Sequence, residues 1–307
     1  MPLRVALPNA SEIGRSFAAS PDRFSMWGVA AISATLVAVW LIGPGIDLAG
    51  SSLTNLLCLA LLLFGLPHGS LDIALIRRRA RLGPWQVVTT VSVYLGFAAA
   101  TYAIWKIAPV WALAGFLVVA IFHFAEDWAD RLPVFFSIGI SVALLTVPAL
   151  FHHSAIADIF MQLTGRESAR VLADIAMLIA PVALVAASVG IQLLIRDGHA
   201  VRALETGTVI VGMILLPPIV GFAIFFCLVH SPRHFAAARA ELGGRDGEAA
   251  LLTCAALGVA ALIYATRGAV ELEDGAIFAS FVTLSVLTVP HMIVPRIMNR
   301  QQGRASD

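Results

Sequence analysis

The sequence predicts an all-α fold, a polytopic transmembrane helix bundle with eight to ten membrane segments. Three observations predict it. Hydrophobic residues make up 59% of the chain and charged residues 13%, against about 25% charged in soluble domains. Apolar runs of roughly twenty residues, enough to cross a bilayer core, recur from Met26 to Met298. Basic residues gather on alternate sides of those runs, as they do in cytoplasmic loops.

Ten segments follow in order along the chain. The first, 26–43, comes after 25 mixed, polar residues. No small-residue cleavage site follows it, so it reads as a retained helix. The second, 53–76, ends in the cluster Arg77, Arg78, Arg79 and Arg81, a cytoplasmic anchor. Segments 86–107 and 109–127 nearly abut, with Pro109 at the turn. Segment 133–151 leads into the Phe151–Arg170 loop, the longest polar stretch between spans, and 171–195 comes after it. Segment 203–216 is too short for a normal span, and Pro217-Pro218 ends it. Segments 218–240, 249–266 and 275–296 complete the bundle. With no room for a separate soluble domain, the chain divides into a cytoplasmic N-terminal segment (1–25), one transmembrane domain (26–298) and a cytoplasmic tail (299–307).

Charge orients this layout. With the N-terminus inside and ten crossings, 16 basic residues fall inside and four outside (Lys106, Arg166, Arg170 and Arg267). Merging 203–216 with 218–240 would reverse every later loop and spoil the bias. The expectation is a multi-pass protein of the inner, cytoplasmic membrane with a cytoplasmic N-terminus. No basic run suits nucleic acid, and a net charge of +1 points to no charged partner. Cys58, Cys227 and Cys254 all lie in apolar runs and give no disulfide framework.

Histidines give the bundle its chemistry. His68, His123, His230, His234 and His291 fall on four segments that all run from outside to inside. Each lies within about ten residues of the inner end, roughly 6–15 Å deep at 1.5 Å per residue. Ionisable residues at membrane depth are costly and mark functional sites. His230 and His234 form H-x-x-x-H in CLVHSPRH, and residues four apart share a helix face, so both rings reach one ion. Pro232 between them should bend the helix. His68 and His291 directly follow prolines in GLPHGSLD and TVPHMIVP, where irregular backbone can line a cavity.

Carboxylates accompany the histidines. Asp72 follows His68 by four residues, and Asp127 follows His123 by four, with Glu126 beside it. A metal-bound histidine usually gives its other ring N–H to a carboxylate, carbonyl or water, and these acids can fill that role. The alternative for Glu126 and Asp127 is an interfacial carboxylate at the inner headgroups. Any single histidine can equally be a hydrogen-bonded packing residue; the group at one depth is the stronger signal. His152, His153 and His199 read as surface residues. Imidazole ligation suits zinc, copper, iron or nickel, and spacing alone does not choose among them. Two-histidine haem ligation also satisfies the spacing, and a Soret band would report it. Phe64, Phe122, Phe124, Phe225, Phe226, Phe235 and Phe278 surround the histidine segments, which suits a long hydrophobic substrate and also any membrane bundle.

The motifs GLPHGSLD, FHFAEDW, LVHSPRH and TVPHM, spread in order from about Leu53 to Pro295, resemble those of the Brp/Blh family of bacterial and archaeal membrane β-carotene dioxygenases. The resemblance implies cleavage of β-carotene at its central double bond by O2, giving two all-trans-retinal. It implies non-haem Fe(2+) held by His68, His123, His230 and His234, with His291 in a further family motif that lines the cavity or orients dioxygen, while the spacing of Asp72, Asp127 and Glu126 puts them behind the ligands. Four neutral imidazoles leave two positions of an octahedral ferrous ion open beside the polyene. The expected partners are the two substrates and membrane lipid, with a functional link to a retinal-binding rhodopsin that would use the product.

Other classes compete on the same residues. A histidine-lined transition-metal transporter should place polar groups across the full depth, whereas the outer half here is nearly free of them. A membrane oxygenase acting on another lipid shares the histidine chemistry, but desaturases and hydroxylases need more histidines at one depth. An opsin needs a lysine in the membrane, and the one lysine, Lys106, ends its helix. H-E-x-x-H is absent, which removes the usual zinc protease motif.

Overall fold

The computed structural model describes residues 21–42, 51–65, 67, 69–243, 246–266 and 272–305. The helices are α1 (Pro21–Ile42), α2 (Ser51–Gly65), α3 (Asp72–Ala80), α4 (Pro84–Ile107), α5 (Pro109–Ala125), α6 (Val134–Phe151), α7 (His153–Thr164), α8 (Arg170–Arg196), α9 (Ala200–Leu215), α10 (Pro218–Leu242), α11 (Asp246–Ala265) and α12 (Leu272–Ala305). There is no strand among the described residues. Most of the expected N-terminal segment and the end of the tail lie outside them.

Among the described residues, five stretches are long and apolar enough to cross a membrane: Pro84–Ile107, Val134–Phe151, Glu167–Arg196, Pro218–Leu242 and Gly275–Ile297. Shorter apolar helices run over Ser25–Val39, Ser52–Gly65, Pro109–Ala125 and Ala250–Ala265. Length and composition thus carry five crossings, and the expectation of eight to ten counts the shorter helices as well.

Small residues bring two helices closest. The buried face of α8 is Ala173, Ala176, Ala180, Ala183, Ala187 and Gly190, spaced by three and four, and α6 lies along it. At Gly139 of α6 an added Cβ would come within 2.7 Å of Ala186 Cβ. Membrane helices gain nothing from excluding lipid, so close backbone approach over small side chains is what holds such a pair.

The structure corrects the expected elements at five places. The segment 53–76 is not one helix: α2 stops at Gly65 and the chain becomes helical again at Asp72. Pro67 offers no N–H and its ring collides with the carbonyl four residues earlier. The Ser231 hydroxyl, on α10, donates to the Phe64 carbonyl at 2.6 Å at that helix end. The expected Phe151–Arg170 loop contains α7, an amphipathic helix that buries Ile156, Ala157, Phe160 and Leu163. Around His291 the backbone is not irregular, since α12 continues through Pro290 and Pro295. The short segment α9 is largely buried and carries Arg202 and Glu205 into the interior. Arg202, read from sequence as an inner-loop charge, is therefore a core residue.

At Pro232 the helix widens where a bend was expected. Residues Phe225–His230 form a π turn, and the Ser231 N–H reaches the Phe226 carbonyl five residues back. A single extra residue absorbs the missing proline donor, and such π turns are frequent at functional sites. The turn delivers His230 to the interior.

A candidate metal centre

Three helices meet at the site. The end of α5 brings His123 and the following turn brings Asp127; α10 brings His230 and His234; α12 brings His291 and Met292. His123 and His230 are almost fully buried, at 2% and 0% exposure. Their Nε2 atoms stand 3.0 Å apart. The His123 ring centroid lies 4.7 Å from that of His230, 5.0 Å from His291 and 6.0 Å from His234, and His230 and His234 are 4.5 Å apart.

The outward nitrogens of these rings are held by acceptors. His230 Nδ1–H donates to Asp127 Oδ2 at 2.9 Å, and His234 Nε2–H donates to Asp127 Oδ1 at 2.9 Å. His291 Nδ1–H donates to Asp72 Oδ2 at 2.6 Å. His123 Nδ1 lies 3.1 Å from the Met292 thioether sulfur, a weak acceptor. A neutral imidazole keeps one lone pair. In these tautomers, assigned from the hydrogen-bond network, the lone pairs belong to Nε2 of His123, His230 and His291 and to Nδ1 of His234. This is the pattern by which carboxylates orient metal-bound histidines.

The donor set fits a first-row transition metal. Two nitrogens about 2.1 Å from one ion and at right angles lie about 3.0 Å from each other, the separation of His123 and His230. Asp127, His230 and His234 also offer one ligand atom each within 4.8 Å of one another. Both Asp127 oxygens already accept from imidazoles, so Asp127 serves better as the outer partner of two histidines than as a ligand.

Behind Asp127 lies an ionic network the sequence reading missed. Arg202 Nη1 donates to Glu205 Oε2 at 2.9 Å, and its Nη2 donates to the Asp127 carbonyl. Arg233 Nη2 donates to Glu205 Oε1 at 2.5 Å, and its Nη1 is 3.5 Å from Asp127 Oδ1. Trp128 Nε1 donates to Thr206, whose hydroxyl donates to the Arg202 carbonyl. Two arginines and two carboxylates balance in charge, and each buried ion has an opposite partner, as burial demands. An Arg–Glu pair three residues apart in the apolar run AVRALETGTVIVG was the available signal.

Aromatic rings close the other side. Phe281, Phe222, Phe226 and His230 stack in series, with centroids 5.6, 5.5 and 5.4 Å apart. Phe124 meets His230 edge-on at 4.9 Å. Phe226 depends on Gly65, because an added Cβ there would come within 2.3 Å of its ring. Phe64 and Phe122 are half exposed instead.

The sequence-predicted residues thus separate. His123, His230, His234, His291 and Asp127 come together, and Asp72 joins through His291. Tyr94, on α4, supports Asp72: its hydroxyl lies 3.3 Å from Asp72 Oδ2 and from the Leu287 carbonyl. Glu126 does not join them; it is exposed and accepts from Arg296 Nη2 at 2.7 Å. His68 lies outside the described residues.

The chain is 29% identical over 280 residues to a β-carotene 15,15'-dioxygenase of an uncultured marine bacterium, 66A03, covering 80% of this chain and 94% of that protein. It is 28% identical over 314 residues to the probable β-carotene 15,15'-dioxygenase Blh of Halobacterium salinarum, covering 84% and 88%. No solved structure matches the chain. Residues 59–299, which hold the described histidines of the cluster and both of their aspartates, match the family described as β-carotene 15,15'-dioxygenase, and the chain belongs to that family.

Proposed function

We propose that this protein is an integral-membrane, non-haem iron dioxygenase that cleaves β-carotene at its central double bond. The observation that carries the reading is the gathering of four imidazole rings, His123 and His230 buried with Nε2 atoms 3.0 Å apart, with Asp127 and Asp72 holding three of the rings from behind. His68, His123, His230 and His234 are the proposed ligands, and His291 is a further imidazole at the same centre. The bond order is balanced by dioxygen alone: the central C=C breaks and each half takes one oxygen atom as an aldehyde, giving two all-trans-retinal. Bound ferrous iron would supply the redox chemistry with dioxygen.

The chain's own residues do the rest. Asp127 and Asp72 fix the orientation and tautomer of His230, His234 and His291, leaving each ring one lone pair for the metal. Arg202, Arg233 and Glu205 hold Asp127 in place. Phe124, Phe222, Phe225 and Phe226 pack around His230 and exclude water from it. Because these rings fill the layer beside the histidines, they favour a closed reaction site over a metal-transport path. The membrane setting suits a substrate that partitions into lipid. We place the site towards the cytoplasmic side of the inner membrane, in a bundle of ten segments with the N-terminus inside, and residues 26–298 form its one catalytic domain. The retinal produced is what a retinal-binding rhodopsin would consume.

Expression in cells that accumulate β-carotene tests the reading. The expected result is loss of orange colour with two retinal formed per carotenoid lost, dependent on dioxygen and on iron. Unchanged carotenoid in aerated cells holding iron-loaded protein would overturn it.

A further inference from the structure

The bundle carries a cavity of about 430 Å³ that reaches the site from one side. Helices α4 and α11 both pack along α12 but share few contacts with each other. The cleft between them is floored by Leu284, Leu287 and His291 of α12 and walled by Leu95 of α4 and Ala256 and Val259 of α11. Its polar groups are Ser70, Asp72, Tyr94, Thr288 and His291, centred on the end where Asp72, Tyr94 and His291 meet. The rest is apolar. Leu95 and Leu251 at its edge are 61% and 70% exposed on the outer face of the bundle, where lipid would lie.

Volume decides what fits. An apolar cavity of about 150 Å³ holds benzene, so about 430 Å³ holds roughly seventeen unsaturated carbons. That is close to one half of a forty-carbon carotenoid and well short of a whole one. A second apolar cavity, behind Phe124 and between Phe222 and Phe281, has only about 80 Å³, too little for the other half.

We infer that the α4–α11 cleft is the lateral entry port and half-substrate chamber, which measures one arm of the carotenoid and stops its central bond beside His291. This rests on the proposed function and adds what sets the cleavage position. Along α12, Leu284 lies seven residues from His291, roughly 10 Å at 1.5 Å per residue. On α11, which returns into α12 through the 266–272 connection, Val259 lies towards the same far end. Leu284, buried at 3% exposure, is therefore the stop, and Ala256 and the 37% exposed Val259 lie along the passage wall.

The experiment uses the full-length protein in detergent. Val259→Trp and Ala256→Trp shorten or narrow the chamber, and Leu178→Trp on the exposed face of α8, away from the cleft, is the control. Three readouts are taken: iron content, β-carotene retained by iron-stripped protein, and product lengths. The expected result for both chamber variants is unchanged iron, at least a tenfold loss of retained carotenoid or rise in KM, and aldehydes of unequal length in place of retinal alone. Val259→Gly, which removes bulk and cannot overpack, should also give unequal products. Chamber variants that hold iron, retain carotenoid at the control level and yield only retinal overturn the inference. A wild-type protein that retains carotenoid in this cleft but releases no retinal would sink the proposed function and leave the chamber standing.

Discussion

His123 and His230 face each other across the bundle with their Nε2 atoms 3.0 Å apart, both sealed from solvent. At that distance one proton can be shared between them, or one ion can take both lone pairs. The outward bond from His230 to Asp127 already uses the proton of the His230 ring. His230→Ala should therefore abolish iron retention and retinal formation together. His291→Ala should weaken iron retention as well, because its ring is equally oriented by a carboxylate. Iron per protein, measured by elemental analysis after desalting, checks both; a His230→Ala protein that keeps full iron and activity refutes the assignment.

Asp127 accepts from two imidazoles at once. Asp127→Asn keeps the shape but offers one acceptor oxygen and an NH2 that opposes one of the ring N–H groups. Loss of such an outer partner typically costs 10–100-fold in metal affinity. The variant should bind iron about that much more weakly, and excess ferrous iron should restore part of its activity. Wild-type iron affinity in Asp127→Asn would show that the carboxylate orients nothing.

Glu205 is the hinge of the ionic network, since its two carboxylate oxygens accept one from Arg202 and one from Arg233. Glu205→Ala leaves two buried guanidinium groups with one fewer partner each. Breaking a buried pair this way costs about 3–5 kcal/mol. The variant should unfold at a markedly lower temperature in detergent and lose iron through its displaced Asp127. A melting temperature equal to the wild type would mean that water compensates the arginines.

Gly65 is required by a ring and not by its own backbone. A methyl there would overlap Phe226, which stacks on His230. Overpacking of this kind costs about 1–3 kcal/mol. Gly65→Ala should therefore lower both stability and iron content, and the double variant Gly65→Ala, Phe226→Leu should recover part of each. Failure of the second change to recover anything would place the clash elsewhere.

How much of this was legible before the structure depends on the kind of signal. Apolar runs and prolines located the helices, because burial in lipid needs continuous hydrophobicity and proline interrupts helix hydrogen bonds. H-x-x-x-H and the acid four residues after His123 were local patterns, so His230, His234 and Asp127 could be read directly. Arg202, Glu205 and Tyr94 could not, since each acts through partners distant in sequence. Arg202 and Arg233 were misleading for a further reason. A basic residue near a helix end has the same sequence signature whether it faces headgroups or a buried carboxylate. Helix α7 was missed because a short amphipathic helix at a bundle end looks like a polar loop. Gly65 shows the same limit, as only its contact with Phe226 reveals its purpose.

The orientation of the bundle can be tested at two loops. The turn after α3 follows Arg77, Arg78, Arg79 and Arg81, and Arg79 pairs with Glu241 near the end of α10 through Nε and Nη2 at 2.8 and 2.6 Å. That pair ties two helix ends to one side of the bundle. The turn at Gly165, with its left-handed φ of 64°, closes α7, and on the ten-segment layout lies on the opposite side. Basic loops stay in the cytoplasm, and the bias holds even with Arg202 and Arg233 assigned to the interior. A fluorescent-protein fusion truncated after Leu82 should fluoresce, and an alkaline phosphatase fusion truncated after Gly165 should be active outside. The reverse pattern at both sites would put the histidines towards the outer face, and activity of both reporters on one side would remove one crossing between them.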